Sequence, residues 1–447
     1  MGVAFNKPNI VLVRGSYHTE GERAVPVYNY KPFPEHWNRP AGCLITRVKA
    51  VPSVKEEEND FYWWTDCEFL PNNDSSMVTS CSAFCIQPSQ GLTSSRAIQP
   101  GKICLFDLSG DKNIKCGYYR QASVASFPKL QPFPDGENIV YLGSTCDNIK
   151  LMSLQRSTFL SRAQDVYFRA YKYVSVSPSG CYFAIMARTS KQYQYELLIY
   201  HSNIITRADS IIDCYKINSE FKGSRLNLEH TTCKWSPDSL CVAAGISHGQ
   251  LIIVSRRSQT CLCDVFSDVI PNTCLSRATT FDFDPKSCHQ VVAVGATNRF
   301  LYIVDVEEGT VLCQTEEVCG DHAIDVVRFS CDGEFVGVAL KNFTIQLFSP
   351  DTCCLIFRFS MKDSLLSLQT SMGPHASILN LTFTSTGQQA VTSTADGYVS
   401  FWQLPRKLEL QFICKFKILS CVSLDRVSRL PLPPRLKDYL LSLPTRM

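Results

Sequence analysis

The sequence predicts an all-β fold, a seven-bladed β-propeller over residues 61–405, followed by a small α-helical segment over residues 406–447. Three observations carry this expectation. A turn tetrad recurs along the chain, short apolar strands flank each copy, and after the last copy the hydrophobic spacing changes from period two to period four.

The tetrads are Leu70-Pro71-Asn72-Asn73, Phe133-Pro134-Asp135-Gly136, Ser177-Pro178-Ser179-Gly180, Ser236-Pro237-Asp238-Ser239, Asp284-Pro285-Lys286-Ser287, Ser330-Cys331-Asp332-Gly333 and Thr384-Ser385-Thr386-Gly387. Pro in second place presets φ for a type I turn, and Gly, Asn or Ser in fourth place accepts the backbone that leaves it. Seven tetrads imply seven hairpins and count seven blades, with six or eight as alternatives. In six units the preceding residue is apolar and large or branched: Phe69, Val176, Trp235, Phe283, Phe329 and Phe383, with Pro132 the departure. A strand of small and β-branched residues follows each turn, as in 240–244 and 335–339. A third strand comes next, as in 251–254 and 344–348, and residues 310–314 and 355–359 read as outer fourth strands. One such sheet cannot bury both its faces, so the units stack radially.

Residues 1–60 form an N-terminal extension. Within it Asn9-Ile10-Val11-Leu12-Val13-Arg14 is β-branched and is expected to supply the outer strand of the last blade, clasping the ring. Tetrad starts lie 44 to 63 residues apart, so several blades carry insertions; the longest candidates are 87–101, 201–229 and 359–376.

The run Gly320-Asp321-His322-Ala323-Ile324-Asp325-Val326-Val327-Arg328-Phe329-Ser330-Cys331-Asp332-Gly333 resembles the opening strand and turn of a WD repeat. The usual period there is about 40 to 45 residues. No Trp-Asp dipeptide closes a repeat; Phe106-Asp107, Val304-Asp305 and Phe401-Trp402 are the nearest equivalents.

Composition narrows the function. Of 447 residues, 45% are hydrophobic and 19% charged, and 44 basic residues are balanced by 41 acidic ones, which gives no basic face for a nucleic acid. No apolar run of about 18 residues predicts a membrane span. The N-terminus lacks a signal-peptide core, and the expected location is the cytoplasm, with the nucleus as a second compartment. The 22 cysteines are then expected to be reduced and mostly buried.

Chemical constellations are sparse. Gly245-Ile246-Ser247-His248-Gly249 fits G-x-S-x-G, but it joins two strands rather than a strand and a helix, so a hairpin turn is the better reading. His230, His322 and His375 stand shortly before tetrads, where WD repeats place a structural histidine. Cys81 with Cys85, Cys261 with Cys263, and Cys353 with Cys354 lack a second pair at zinc-ligand spacing. The cluster Phe61-Tyr62-Trp63-Trp64 reads as core at the start of blade one. We expect no catalytic residue, cofactor or metal, and therefore no enzyme.

The tail carries the strongest functional pattern. Leu410, Cys414 and Ile418 lie at i, i+4 and i+8, one apolar stripe of a helix. On periodicity alone, a terminal helix packed on the propeller is the better explanation of that stripe. Sixteen residues after Cys414, however, begins Leu430-Pro431-Leu432-Pro433, followed by Leu436, Tyr439 and Leu440. This pairing resembles a SOCS box, so the whole chain is similar to the WD-repeat and SOCS-box-containing family. The resemblance makes residues 410–418 the elongin-binding half, with Leu410, Ile413, Cys414 and Ile418 as contacts, and Ile413 and Lys415 standing at the family's usual Leu and Arg places. Glu409 departs from its usual small residue. Leu430, Pro431, Leu432 and Pro433 become the cullin-binding half, in the form associated with Cullin-5. The implied function is a substrate-recognition subunit of an elongin B/C-cullin-RING ubiquitin ligase, its propeller holding an unidentified protein target. The alternative is a WD-repeat scaffold whose C-terminal helix packs on the propeller.

Overall fold

The turn tetrads fold as their composition dictates. In five of them the fourth residue donates its amide to the first residue's carbonyl: Gly136 to Phe133, Gly180 to Ser177, Ser239 to Ser236, Gly333 to Ser330 and Gly387 to Thr384, at 2.8–2.9 Å. The same five residues have φ between 63° and 70°, which explains the preference for Gly. First-place hydroxyls reinforce the turns. Ser236 Oγ accepts from the Cys241 amide (2.9 Å) and donates to Asp238 (2.6 Å), and Ser330 Oγ does the same with Phe335 (3.1 Å) and Asp332 (2.7 Å). The fifth tetrad departs from the expected geometry. There the bond runs from Gln290 to Ser287 and the positive φ falls on Cys288, so this connection is longer than the motif.

A computed structural model of the chain describes residues 41–42, 44–50, 61–71, 73–89, 92–108, 115–121, 129–142, 148–154, 158–164, 170–188, 195–202, 211–217, 231–246, 251–258, 260–265, 269, 278–296, 298–315, 323–362, 378–405, 418, 424–427, 429–434 and 436–437. Strand β1 (Leu44–Lys49) precedes blade one, β2 (Phe61–Leu70), β3 (Asn73–Ser89), β4 (Leu92–Asp107) and β5 (Lys115–Gln121). Blade two is β6 (Leu130–Pro132), β7 (Asn138–Leu142), β8 (Asn148–Ser153) and β9 (Thr158–Gln164). Blade three is β10 (Ala170–Val176), β11 (Tyr182–Arg188), β12 (Tyr195–His201) and β13 (Ile211–Ile217). Blade four is β14 (Thr231–Trp235), β15 (Cys241–Ile246), β16 (Leu251–Ser255) and β17 (Thr260–Asp264). Blade five is β18 (Ala278–Phe283), β19 (Val291–Ala296), β20 (Leu301–Asp305) and β21 (Thr310–Gln314). Blade six is β22 (Ile324–Phe329), β23 (Val336–Leu340), β24 (Thr344–Phe348) and β25 (Leu355–Ser360). Blade seven is β26 (Ile378–Phe383), β27 (Gln389–Thr394) and β28 (Tyr398–Gln403), with β1 as its fourth strand. The fold is a seven-bladed β-propeller, as the tetrads predict.

Ring closure uses the expected device with a different segment. Leu44–Lys49 pairs antiparallel with Tyr398–Gln403 and occupies the outer place of blade seven. Residues 9–14, the expected clasp, lie outside the described residues. The physical reason is continuity: β1 stands 11 residues before β2, close enough to feed blade one directly after completing blade seven. Arg47 clamps the junction, pairing with Asp396 in the turn between β27 and β28 while its guanidinium lies 4.0 Å from the Tyr398 ring centroid. Thr79 Oγ1 donates to the Ala50 carbonyl (2.6 Å), and Thr65 Oγ1 to that of Thr394 (2.8 Å), tying blade one to both.

Apolar clusters fill the seams between neighbouring blades. Phe281, Val292 and Val304 of blade five pack with Ala243 and Ile253 of blade four, while Phe401 and Val399 of blade seven pack with Met77 and Phe106 of blade one. The residues preceding the tetrads supply much of this: Trp235, Phe283, Phe329 and Phe383 are all buried. At the departure, Pro132, the buried apolar residue is Phe133, one position later. Gly337 in β23 is required by packing, since an added Cβ would sit 2.4 Å from the Phe383 ring.

First strands are neighbours around the ring, from β2 through β6, β10, β14, β18, β22 and β26 back to β2. A polar network spans them. Arg328 of β22 donates to Glu68 of β2 (2.7 Å) and to the Leu381 carbonyl (3.1 Å), and Asn380 of β26 donates to Asp66 (2.8 Å) and to the Cys67 carbonyl (2.9 Å). Lys129 lies 3.5 Å from Asp66, and on the far side Lys234 pairs with Asp282 at 2.6 Å. Burial pushes the Asp66 carboxyl upward and the charge of Lys129 pulls it back.

The interval 87–101, read as an insertion, is the end of a long hairpin. Strands β3 and β4 stay paired as far as Ser89 opposite Leu92, and β2 follows β3 as far as Phe61 opposite Cys85. Within 201–229, β13 forms the outer strand of blade three. Residues 363–377 lie outside the described residues.

Two stability measurements check this account. Glu68→Leu leaves the half-buried Arg328 guanidinium without its carboxylate and is expected to lower stability by about 1–3 kcal/mol, seen as an earlier urea midpoint. Gly337→Ala drives a methyl into Phe383 and should cost about 1–3 kcal/mol by the same assay.

Candidate functional site

The tail after the propeller begins where blade seven ends. Leu404 is buried and donates its amide to the Gln388 carbonyl (2.9 Å), after which the chain leaves the sheet. Ile418 is helical and half-buried. Helix α1 (Leu424–Val427) follows, with Arg426 in its last turn, favourably placed against the carbonyl end of the helix. Val427 is fully buried. Leu410, Ile413 and Cys414 lie outside the described residues.

The Leu-Pro-Leu-Pro segment has a defined backbone. The Arg429 and Leu430 amides donate to the Arg426 and Val427 carbonyls (3.0 and 3.2 Å), which ends α1 in a tight turn. Pro431 then forces a reversal, with the Leu432 amide donating to the Leu430 carbonyl across it at 2.8 Å. The Pro433 carbonyl accepts from Leu436 (3.0 Å) and Lys437 (3.2 Å), so Pro434 holds the first position of a new helical turn, where its missing N–H costs nothing. Leu430 and Leu432 are half-buried while Pro431 and Pro433 are exposed. Leu436 leaves 49% of its surface in solvent. The sequence predicts the proline break and the helix after it; the turn at Pro431 is visible only in the structure.

Among the described residues, the other sequence candidates do not converge on a chemical site. Ser247, His230, His322 and His375 lie outside the described residues. Gly245 of the G-x-S-x-G run is in β15 and pairs with Leu251 of β16, the antiparallel frame of a hairpin. The cysteine pairs split by burial: Cys263 and Cys353 are buried while Cys261 and Cys354 are exposed. Among the described residues, no group of three or more His, Cys, Asp or Glu is placed to hold a metal. The backbone of residues 61–64 runs in β2.

One charged cluster on the turn face escapes sequence reading, because its members come from three connections. His289 Nδ1 meets Asp238 of the blade-four tetrad, and Nε2 lies 2.8 Å from Glu307 in the turn after β20. Partial burial opposes charging the ring, but the bonds to Asp238 and Glu307 outweigh it and hold its pKa above the usual value. Asp238 is also partly buried, yet donors from Ser236, Leu240 and His289 hold its carboxyl below the usual range.

Residues 408–441 match the family model of the SOCS box. The fold and this tail define the class: a WD-repeat-type β-propeller protein carrying a C-terminal SOCS box. Relatives agree. The chain is 26% identical over 121 residues to WD repeat and SOCS box-containing protein 1 of Mus musculus, a match covering 27% of this chain and 25% of that protein. It is 36% identical over 59 residues to the protein of the same name from Takifugu rubripes, covering 13% and 14%. The matched stretches thus span a quarter or less of those relatives. The crystal structure of Sqt1 from Chaetomium thermophilum superposes with a TM-score of 0.53 at 12% identity, covering 82% of this chain and all of that one, a likeness of fold alone.

The His289 cluster predicts a pH dependence. A raised histidine pKa stabilises the fold fully below the unfolded value, about 6.5, and the contribution is lost as pH rises through the folded pKa. The lowered Asp238 pKa stabilises above the unfolded value and is lost as pH falls through the folded one. Thermal midpoints of His289→Gln should therefore fall below wild type at mildly acidic pH and converge with it above the raised histidine pKa.

Proposed function

We propose that the chain is the substrate-recognition subunit of an elongin B/C-cullin-RING ubiquitin ligase. The observation that carries the reading is the match of residues 408–441 to the SOCS box, after a segment whose described residues form a seven-bladed propeller. In this reading Leu410, Ile413, Cys414 and Ile418 form the elongin-binding face. Burying one large aliphatic side chain contributes about 1.5–3 kcal/mol, enough for such a row to act as a hot spot. Leu430, Pro431, Leu432 and Pro433 contact the cullin, for which Cullin-5 is our assignment. The exposed prolines and the exposed Leu436 support a docking role, because they present a rigid and partly apolar surface.

The chain performs no bond-making step in this account. It holds a protein target on the propeller while a ubiquitin-loaded enzyme is held by the ligase core, so the rate gain is one of proximity. A rigid ring suits that task, since connections on a fixed scaffold are free to specialise in binding.

The buried Val427 favours a second reading, a scaffold whose C-terminal segment packs on the protein's own surface. Elongin capture separates the two. Full-length protein should retain elongins B and C, and Leu410→Asp with Cys414→Asp should weaken retention at least about 30-fold. Changing all of Leu430, Pro431, Leu432 and Pro433 to alanine should abolish cullin recruitment while elongin stays bound. Failure of the intact chain to retain elongins would remove the ligase reading and leave the scaffold.

A further inference from the structure

We propose that Cys313 and Cys353 form a peroxide-oxidisable thiol pair that staples blade five to blade six. Cys313 lies on β21, the outer strand of blade five, and Cys353 in the turn between β24 and β25 of blade six. Their sulfurs are 2.7 Å apart, closer than unbonded heavy atoms usually settle, about 3.5–4.0 Å. A disulfide needs about 2.05 Å. The two thiols therefore meet across a blade seam with little left to close.

The surroundings divide the roles. Cys353 is buried, and its turn is fixed by two backbone bonds, Cys353 to Ser349 (2.9 Å) and Ser349 to Cys354 (3.0 Å). It holds φ at 52°, a left-handed value that a side chain adopts only when its surroundings demand it. Cys313 is half-exposed and its sulfur also lies 3.3 Å from the Pro350 carbonyl. The hydrogen bond from Cys353 holds the Cys313 thiol below its usual pKa, against the effect of partial burial. Cys313 is thus the accessible nucleophile and Cys353 the resolving thiol.

The oxidant is a hydroperoxide. The Cys313 thiolate attacks one peroxide oxygen, the O–O bond breaks, and the departing hydroxide takes a proton to become water, leaving a sulfenic acid. The Cys353 sulfur then attacks the Cys313 sulfur. An S–S bond forms, the S–O bond breaks, and the hydroxide leaves as a second water with the Cys353 proton. Two thiols and one hydrogen peroxide give one disulfide and two waters; the peroxide accepts two electrons, one from each sulfur.

The test is made on the full chain treated with hydrogen peroxide, quenched with N-ethylmaleimide and digested without reductant. The expected product is a peptide joining Cys313 to Cys353, absent in Cys313→Ser and in Cys353→Ser. It should persist in Cys319→Ser and Cys354→Ser, which remove the neighbouring thiols on the same peptides. The oxidised wild type should also melt several degrees higher than the reduced form and return on adding dithiothreitol, with no such shift in Cys353→Ser. Recovery of Cys313 as sulfinic acid or as the maleimide adduct with no joined peptide overturns the proposal. So does a joined peptide that survives Cys353→Ser.

Discussion

The antiparallel pairing of Leu44–Lys49 with Tyr398–Gln403 is the constraint on which the ring depends. Seven sheets joined only in sequence would leave the first and last blades each with one uncovered face, and a curved stack could open between them. Borrowing the outer strand of the last blade from the start of the chain converts the end of a stack into one more internal seam. The remaining bonds at this junction act together: Arg47 with Asp396 and Thr65 with Thr394 join the two ends of the ring, and Thr79 with Ala50 ties blade one to the end of the closing strand. Arg47–Asp396 and Thr65–Thr394 bring together residues more than 300 positions apart, so these two contacts form only when the ring closes.

A second constraint acts near the axis. Apolar seams are non-directional and tolerate small rotations of one blade against the next. The bonds from Arg328 to Glu68 and from Asn380 to Asp66 have fixed lengths and angles, and they connect blades six and seven to blade one. Placing charges out of water carries a desolvation cost that pairing only offsets. What such pairs add is orientation. The strand order around the ring is set by β-pairing and seam packing, while the mutual tilt of these three blades is set by groups that must meet atom to atom.

Much of the fold was legible in the sequence because it is local. Turn chemistry at Ser236-Pro237-Asp238-Ser239 and Ser330-Cys331-Asp332-Gly333 is decided within a few residues, so the hairpins could be placed from residue types alone. The outer strands Thr310–Gln314 and Leu355–Ser360 were also readable from alternation. The closing strand was not, since Asn9-Ile10-Val11-Leu12-Val13-Arg14 and Leu44–Lys49 have similar β-branched character and only the short path into β2 selects the second. Polar residues on or beside first strands, such as Asp66, Lys129 and Arg328, gave a signal in principle: charged positions in or next to otherwise apolar strands need partners. Their partners lie on other blades, which periodicity cannot name. The Cys313–Cys353 meeting was hidden for the same reason, with one member on a strand and the other in a turn of the next blade.

The tail stands apart from these constraints. Every strand of blade seven is in place by Gln403, and among the described residues no later segment adds a strand to a blade. Its organisation is instead set by proline: Pro431 imposes a reversal, Pro434 opens the next turn, and both act through fixed φ rather than through packing. A segment shaped this way keeps its backbone form whether or not a partner covers it. Val427 is covered while Pro433 and Leu436 remain exposed, so the same short segment has one anchored side and one open side. A preformed surface of this kind loses little entropy on binding.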